Sequence, residues 1–227
     1  MRNAIPNIVT AVNLVLGMFA IIFTLQGEFA YAAFFVVAAM VADGLDGRVA
    51  RYFGVSSDFG KELDSLCDLV SFGVAPAIMA YAYMLKDFSG GALIAAAFAT
   101  CGALRLARFN VNTGTVKGYF MGLPIPAAGC VIATFILIGI KPSGWIFALM
   151  VAVFAYLMVS TVRYPDFKGK EGEPIRIIPV IITLLVGAYI LYLNLTFASI
   201  LFVPFFAFAL FGILNTIFGL FDGRSVQ

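Results

Sequence analysis

Eight long apolar runs, parted by short polar breaks, constrain this chain more than any other feature. They are Ile8–Leu25, Phe29–Val49, Leu66–Leu85, Ala92–Leu106, Pro124–Ile140, Trp145–Val162, Ile177–Leu193 and Ala198–Phe221. About 20 mostly apolar residues suffice for a helix to cross a bilayer. The expectation is an all-α, polytopic bundle of eight transmembrane helices, with kinks possible at Pro179 and Pro204. Composition agrees: the chain is 63% hydrophobic and 11% charged, against about 45–50% and 25% in a soluble domain. Disorder is excluded by the same comparison. A scattered net charge of +2 gives no footprint for nucleic acid. The first run is longer than the apolar segment of a leader and lacks a small-residue cleavage site, so it reads as a spanning helix.

Charge asymmetry sets the orientation. Of the 14 Lys and Arg residues, only Lys86 and Lys141 fall at one end of the runs, and the other twelve fall at the opposite end. Basic residues collect on the cytoplasmic side, so both termini are expected in the cytoplasm, consistent with an even helix count. The longest polar stretch, from Arg163 to Arg176, is then a cytoplasmic loop. It suggests a division into a core at 1–168 and a two-helix extension at 169–227.

The chain contains no histidine, which removes imidazole bases, Ser-His-Asp and Cys-His triads and imidazole metal sites. Cys67, Cys101 and Cys130 lie far apart in apolar stretches and read as small buried residues, with neither a disulfide framework nor a metal-ligand spacing among them.

The acids are concentrated. Six of twelve fall between Asp43 and Asp68. Asp43 and Asp46 are i, i+3 near the cytoplasmic end of the second helix, and Asp64 and Asp68 are i, i+4 at the start of the third. Each pair therefore shares a helix face. Gly54, Ser56, Ser57 and Gly60 form the connection, which makes the helices antiparallel neighbours and lets four carboxylates converge; Asp58 and Glu62 read as solvated residues beside that connection. An Asp within a spanning helix costs roughly 2.5–3.5 kcal/mol on insertion scales, less near the interface, and four together repel one another. Arg48, Arg51 and Lys61 can offset part of this, although Arg48 points away from the Asp43/Asp46 face. Oxygen-only ligands suit hard divalent cations, and four carboxylates carry charge for two of them about 3.5–4 Å apart, as in two-metal phosphoryl chemistry. A proton or cation pathway would instead spread its acids through the bilayer depth on several helices.

The pattern Asp43-x-x-Asp46-Gly47-x-x-Ala50-Arg51, eight residues, Gly60-x-x-x-Asp64-x-x-x-Asp68 resembles the complete signature of the CDP-alcohol phosphotransferases. That resemblance implies a six-helix membrane core, usually a homodimer, that transfers a phosphatidyl-type group from a CDP-linked lipid to an alcohol and releases CMP. It implies two divalent cations, Mg²⁺ or Mn²⁺, on Asp43, Asp46, Asp64 and Asp68, with Asp68 also the base. Gly47, Ala50, Arg51 and Gly60 would line the CDP site, with Asn7 and Thr10 of the first helix. Glycine at 47 and 60 suits close approach of the pyrophosphate and equally suits tight helix packing.

The segments Ala103–Asn110, Phe120–Gly129 and Val159–Pro165 are similar to those of family members that use serine, which implies CDP-diacylglycerol and L-serine as substrates in a prokaryotic cytoplasmic membrane. Arg105 and Arg108, i, i+3 on one face, can fork a carboxylate or snorkel to headgroups, and Asn110 can contact either substrate. Glycerol 3-phosphate or an inositol phosphate is the alternative acceptor and would want more basic residues, such as Lys117. An ion transporter and a non-catalytic scaffold are the readings of other classes; the scaffold leaves the acid cluster unexplained.

Overall fold

A computed structural model describes residues 4–54, 57–112, 119–165 and 176–221. Arg2, Ser56, Lys117, Lys168, Lys170, Arg224 and residues 166–175 of the long polar loop lie outside the described residues, as do the side chains of Ala50 and Arg51. The described residues form eight helical rods: α1 (Ala4–Leu25), α2 (Phe29–Phe53), α3 (Asp58–Tyr83), α4 (Gly91–Asn112), α5 (Ile125–Ile138), α6 (Gly144–Val159), α7 (Ile177–Leu193) and α8 (Phe197–Phe221). A two-stranded antiparallel ribbon joins β1 (Tyr119–Met121) to β2 (Arg163–Pro165), pairing Phe120 with Tyr164.

The chain is thus the all-α polytopic bundle expected. The rods α1, α2, α3, α4 and α8 are long and apolar enough to cross a membrane, while α5, α6 and α7 are shorter apolar helices. The shortness of α5 has a local cause. Pro124 and Pro126 delay its start, and Gly139 at φ +80 ends it in a left-handed cap. Ten of its 14 residues are buried, so α5 is the central post of the bundle and has little lipid to face. At the periphery, α7 buries only Pro179, Thr183 and Gly187 and packs on α8.

The start of α3 differs from the sequence expectation by eight residues. Ser57 caps it, its hydroxyl accepting the Gly60 N–H at 3.0 Å. Gly60 therefore lies in the first turn of the helix. Asp58 and Glu62 are exposed on these first turns, with Asp58 paired to Lys61 at 3.3 Å, and Asp64 and Asp68 come one and two turns further in. Immediately after Asp68 the helix widens into a π-helical segment, Leu69–Val74, before resuming as Ala75–Tyr83.

Neighbouring helices close on that segment through small residues, the usual means of association where lipid removes the hydrophobic drive between helices. A Cβ on Gly17 of α1 would overlap Ser71, and a Cβ on Gly129 of α5 would lie 2.6 Å from the Phe72 carbonyl. Three buried hydroxyls are satisfied by backbone carbonyls: Thr24 donates to Ala20 O, Thr134 to Cys130 O and Ser71 to Asn13 O. All three cysteines are free, with Cys67 and Cys130 buried.

Candidate active site

The helix phase argument places the acids together. One carboxylate oxygen each from Asp43 of α2 and Asp64 and Asp68 of α3 lies within 4.8 Å of the other two. Asp46, one turn beyond Asp43, is buried beside them and interacts electrostatically with Asp64. Oxygens on opposite sides of one hard cation lie about 4–5 Å apart, so the spread of the three fits a shared ion. The Asp64 Oδ1 atom is buried and has no hydrogen-bond partner among the described residues. A buried carboxylate oxygen left unpaired is costly, and this donor set of oxygens alone suits Mg²⁺ or Mn²⁺. The residues present fit a divalent metal centre.

Helix α1 supplies the remaining polar face. Its Thr10 hydroxyl donates to Asp46 Oδ2 at 2.8 Å, and its Asn13 amide donates to Asp68 Oδ1 at 3.0 Å. Asn7, Thr10 and Asn13 are spaced three apart, so they form one stripe along the acids. Asn7 lies at the N-terminal end of the stripe, its Oδ1 atom 3.3 Å from where a Cβ on Gly60 would sit. Asn13 was not among the residues expected at the site. It is fully buried, its Oδ1 has no partner among the described residues, and its side-chain amide donates to Asp68.

The two glycines of the signature separate in character. A side chain at Gly47 would meet nothing within 4 Å, whereas one at Gly60 would press on Ser57 and Asn7 at 3.2 and 3.3 Å. Tight helix packing therefore does not explain Gly47, and open space beside the acids does. Ala50 and Arg51 follow on the last turns of α2, where the backbone is helical.

The two arginines of α4 also separate. Arg105 is buried, with its guanidinium 5.3 Å from the Phe109 ring, and it interacts electrostatically with Asp68 and Asp43. Its Nε has no hydrogen-bond partner among the described residues. Arg108 is spent on the backbone: its guanidinium donates to the carbonyls of Met121, Met158, Val159 and Ser160 at 2.9–3.1 Å. Those carbonyls include orphans at the C-terminus of α6, so Arg108 fastens α4 to α6 and to β1 and does not snorkel. Asn110, two residues on, exchanges hydrogen bonds with Ser65 of α3 at 2.9 and 3.3 Å, one turn before Asp68.

Comparison with known proteins follows this geometry. Residues 3–162 match the family model described as CDP-alcohol phosphatidyltransferase. The chain is 42% identical over 171 residues to a CDP-diacylglycerol–serine O-phosphatidyltransferase of Helicobacter pylori, with 72% of each chain covered. It is 36% identical over 172 residues to the Bacillus subtilis protein of that name, covering 75% of this chain and 95% of the relative. It is also 38% identical over 172 residues to the archaetidylserine synthase of Methanothermobacter thermautotrophicus, covering 75% and 73%.

Proposed function

This chain belongs to the CDP-alcohol phosphatidyltransferase family, and from that premise we propose that it transfers the phosphatidyl group of CDP-diacylglycerol to the hydroxyl of L-serine, yielding phosphatidylserine and CMP. The observation that carries the reading is the convergence of Asp43, Asp64 and Asp68 beside Asp46. The names of the relatives support serine. One is named for transfer from CDP-diacylglycerol to serine, and another for the synthesis of archaetidylserine.

In this reading Asp43, Asp46, Asp64 and Asp68 hold two divalent cations, Mg²⁺ or Mn²⁺. When bound, the ions neutralise charge on the pyrophosphate and on the departing CMP. The chain's own groups do the rest. Asp68 accepts the proton of the serine hydroxyl as its oxygen bonds to the phosphatidyl phosphorus and the anhydride P–O bond to CMP breaks. Asn13 orients Asp68 through Oδ1, and Thr10 orients Asp46 through Oδ2. The open side of Gly47 admits the pyrophosphate, with Asn7, Ala50, Arg51 and Gly60 around the nucleotide. Arg105 has an Nε–H without a partner among the described residues and meets the serine carboxylate, assisted by Asn110. Arg108 sets the position of that helix end. Direct attack inverts configuration at phosphorus.

The site and both termini face the cytoplasm in this proposal, which the one-sided distribution of Lys and Arg supports. The catalytic core lies within 1–168, with 169–227 added to it, and the working unit is a homodimer. The test is release of CMP from CDP-diacylglycerol by purified protein, with serine, glycerol 3-phosphate, inositol phosphate or no acceptor, and with Mg²⁺, Mn²⁺ or chelator. Serine and metal together should be required. Release with glycerol 3-phosphate in place of serine would overturn the acceptor, and acid-dependent ion flux without CMP release would overturn the enzyme reading.

A further inference from the structure

The C-terminal helix α8 is tied to the acid cluster by a continuous path of contacts. Tyr164 of β2 is fully buried, and its ring fills the space beside Gly212 of α8, where a Cβ would overlap it. The ring centroid lies 5.3 Å from that of Phe208, and the hydroxyl reaches Ala209 O at 3.4 Å. One residue earlier, the Arg163 N–H donates to Thr216 Oγ1 at 3.2 Å. The path continues through the ribbon: β2 pairs with β1, and the Gly122 N–H donates to Val162 O at 2.8 Å. Gly122 sits at φ +79, and a Cβ there would press on Arg108 Nη2 and overlap Met158 O. Arg108 then binds four carbonyls of this corner, while the same helix end carries Arg105 and joins Asn110 to Ser65.

We infer that Tyr164, seated on Gly212, is a positioning residue for the acceptor side of the site, and that α8 is the support against which the α4 end is held. The inference rests on the reading of Arg105 and Asn110 as acceptor-side residues. An extension that only filled membrane would need no more than apolar contact. Here a buried aromatic ring, a glycine socket and a main-chain hydrogen bond fix the ribbon instead. The core and the two-helix extension are then one mechanical unit, although residues 163–221 lie outside the span that matches the family.

Three full-length variants test this in detergent, with serine-dependent CMP release and Mn²⁺ binding by electron paramagnetic resonance. Gly212→Ala puts a methyl group on the Tyr164 ring. It should raise the KM for serine about tenfold, because small misplacements of positioning groups are costly, with the KM for CDP-diacylglycerol and the Mn²⁺ affinity unchanged. Tyr164→Leu, with Gly212 retained, removes the ring itself and should likewise raise the serine KM while the KM for CDP-diacylglycerol and the Mn²⁺ affinity hold. Thr216→Val keeps shape, loses the acceptor of the Arg163 N–H, and should raise the serine KM by a smaller factor even if Gly212→Ala does not yield folded protein. Wild-type kinetics in all three variants, or parallel loss of serine, lipid and Mn²⁺ binding, would overturn the inference. A wild-type protein that ignores serine would refute the acceptor reading instead.

Discussion

Replacing Asn13 probes the site at a residue that touches the acids without being one of them. Its amide donates to Asp68 Oδ1 at 3.0 Å, and both groups are buried, at 0% and 7% exposure. A hydrogen bond to a charged group is worth roughly 1.5–3 kcal/mol, and each 1.4 kcal/mol is about tenfold in rate. Asn13→Ala should therefore lower kcat by about tenfold to a hundredfold, as Asp68 loses the contact that orients it. Mn²⁺ affinity should fall with it, since an orienting partner typically contributes about 10–100-fold to metal binding. Asn13→Asp is the sharper test, because it keeps the shape while replacing the donor with a fifth carboxylate. It should be less active than Asn13→Ala. The assay is steady-state CMP release at saturating substrates, paired with Mn²⁺ titration by electron paramagnetic resonance. An Asn13→Asp enzyme with wild-type kcat and Mn²⁺ affinity would refute the reasoning, because the amide N–H would then contribute nothing.

Other parts of the site make separate predictions. Asp64→Asn removes charge from the carboxylate whose buried Oδ1 lacks a partner among the described residues; Mn²⁺ binding should drop at least about a hundredfold by titration, and chelator should abolish CMP release in the wild type. Gly47→Leu projects into open space, so thermal stability should hold within about 1 kcal/mol while the KM for CDP-diacylglycerol rises in kinetic assays. Arg108→Lys trades a fork that reaches four carbonyls for a single ammonium. It should cost about 2–4 kcal/mol, from the hydrogen bonds lost and carbonyls left unpaired, seen as a lower midpoint in thermal unfolding.

The parts of this molecule that sequence could reveal are those set by local spacing. Apolar run length located the helices, and helical phase alone put Asp43 with Asp46 and Asp64 with Asp68. The start of α3 was obscured because its first turns carry Asp58, Lys61 and Glu62, exposed residues without an apolar period. The shortness of α5 was obscured for the opposite reason: apolar residues continue past its ends, and only the prolines and Gly139 mark them. Arg108 could not be told from Arg105 by pattern, since three of its four carbonyl partners lie 50–52 residues away. Asn13 did leave a signal. A polar residue at every third position, Asn7, Thr10 and Asn13, is out of place in an apolar spanning helix and marks the side that faces the acids.

The π-helical turn at Leu69–Val74 works as a phase shifter within α3. In an unbroken α-helix the direction in which Asp64 and Asp68 point would be locked, residue by residue, to the face that Ala75, Met79 and Ala80 bury in the bundle. A wider turn between the two halves inserts an offset, so the aim of the carboxylates and the seating of the deeper half are separate settings on one rod. Deleting a single residue from this turn would swing one half against the other by about 100°, turning the acids from their partners on α1 and α2 and displacing Ser71 and Phe72 from Gly17 and Gly129. The chemistry of the helix is thus geared to its anchorage through one wide turn, placed one residue past Asp68.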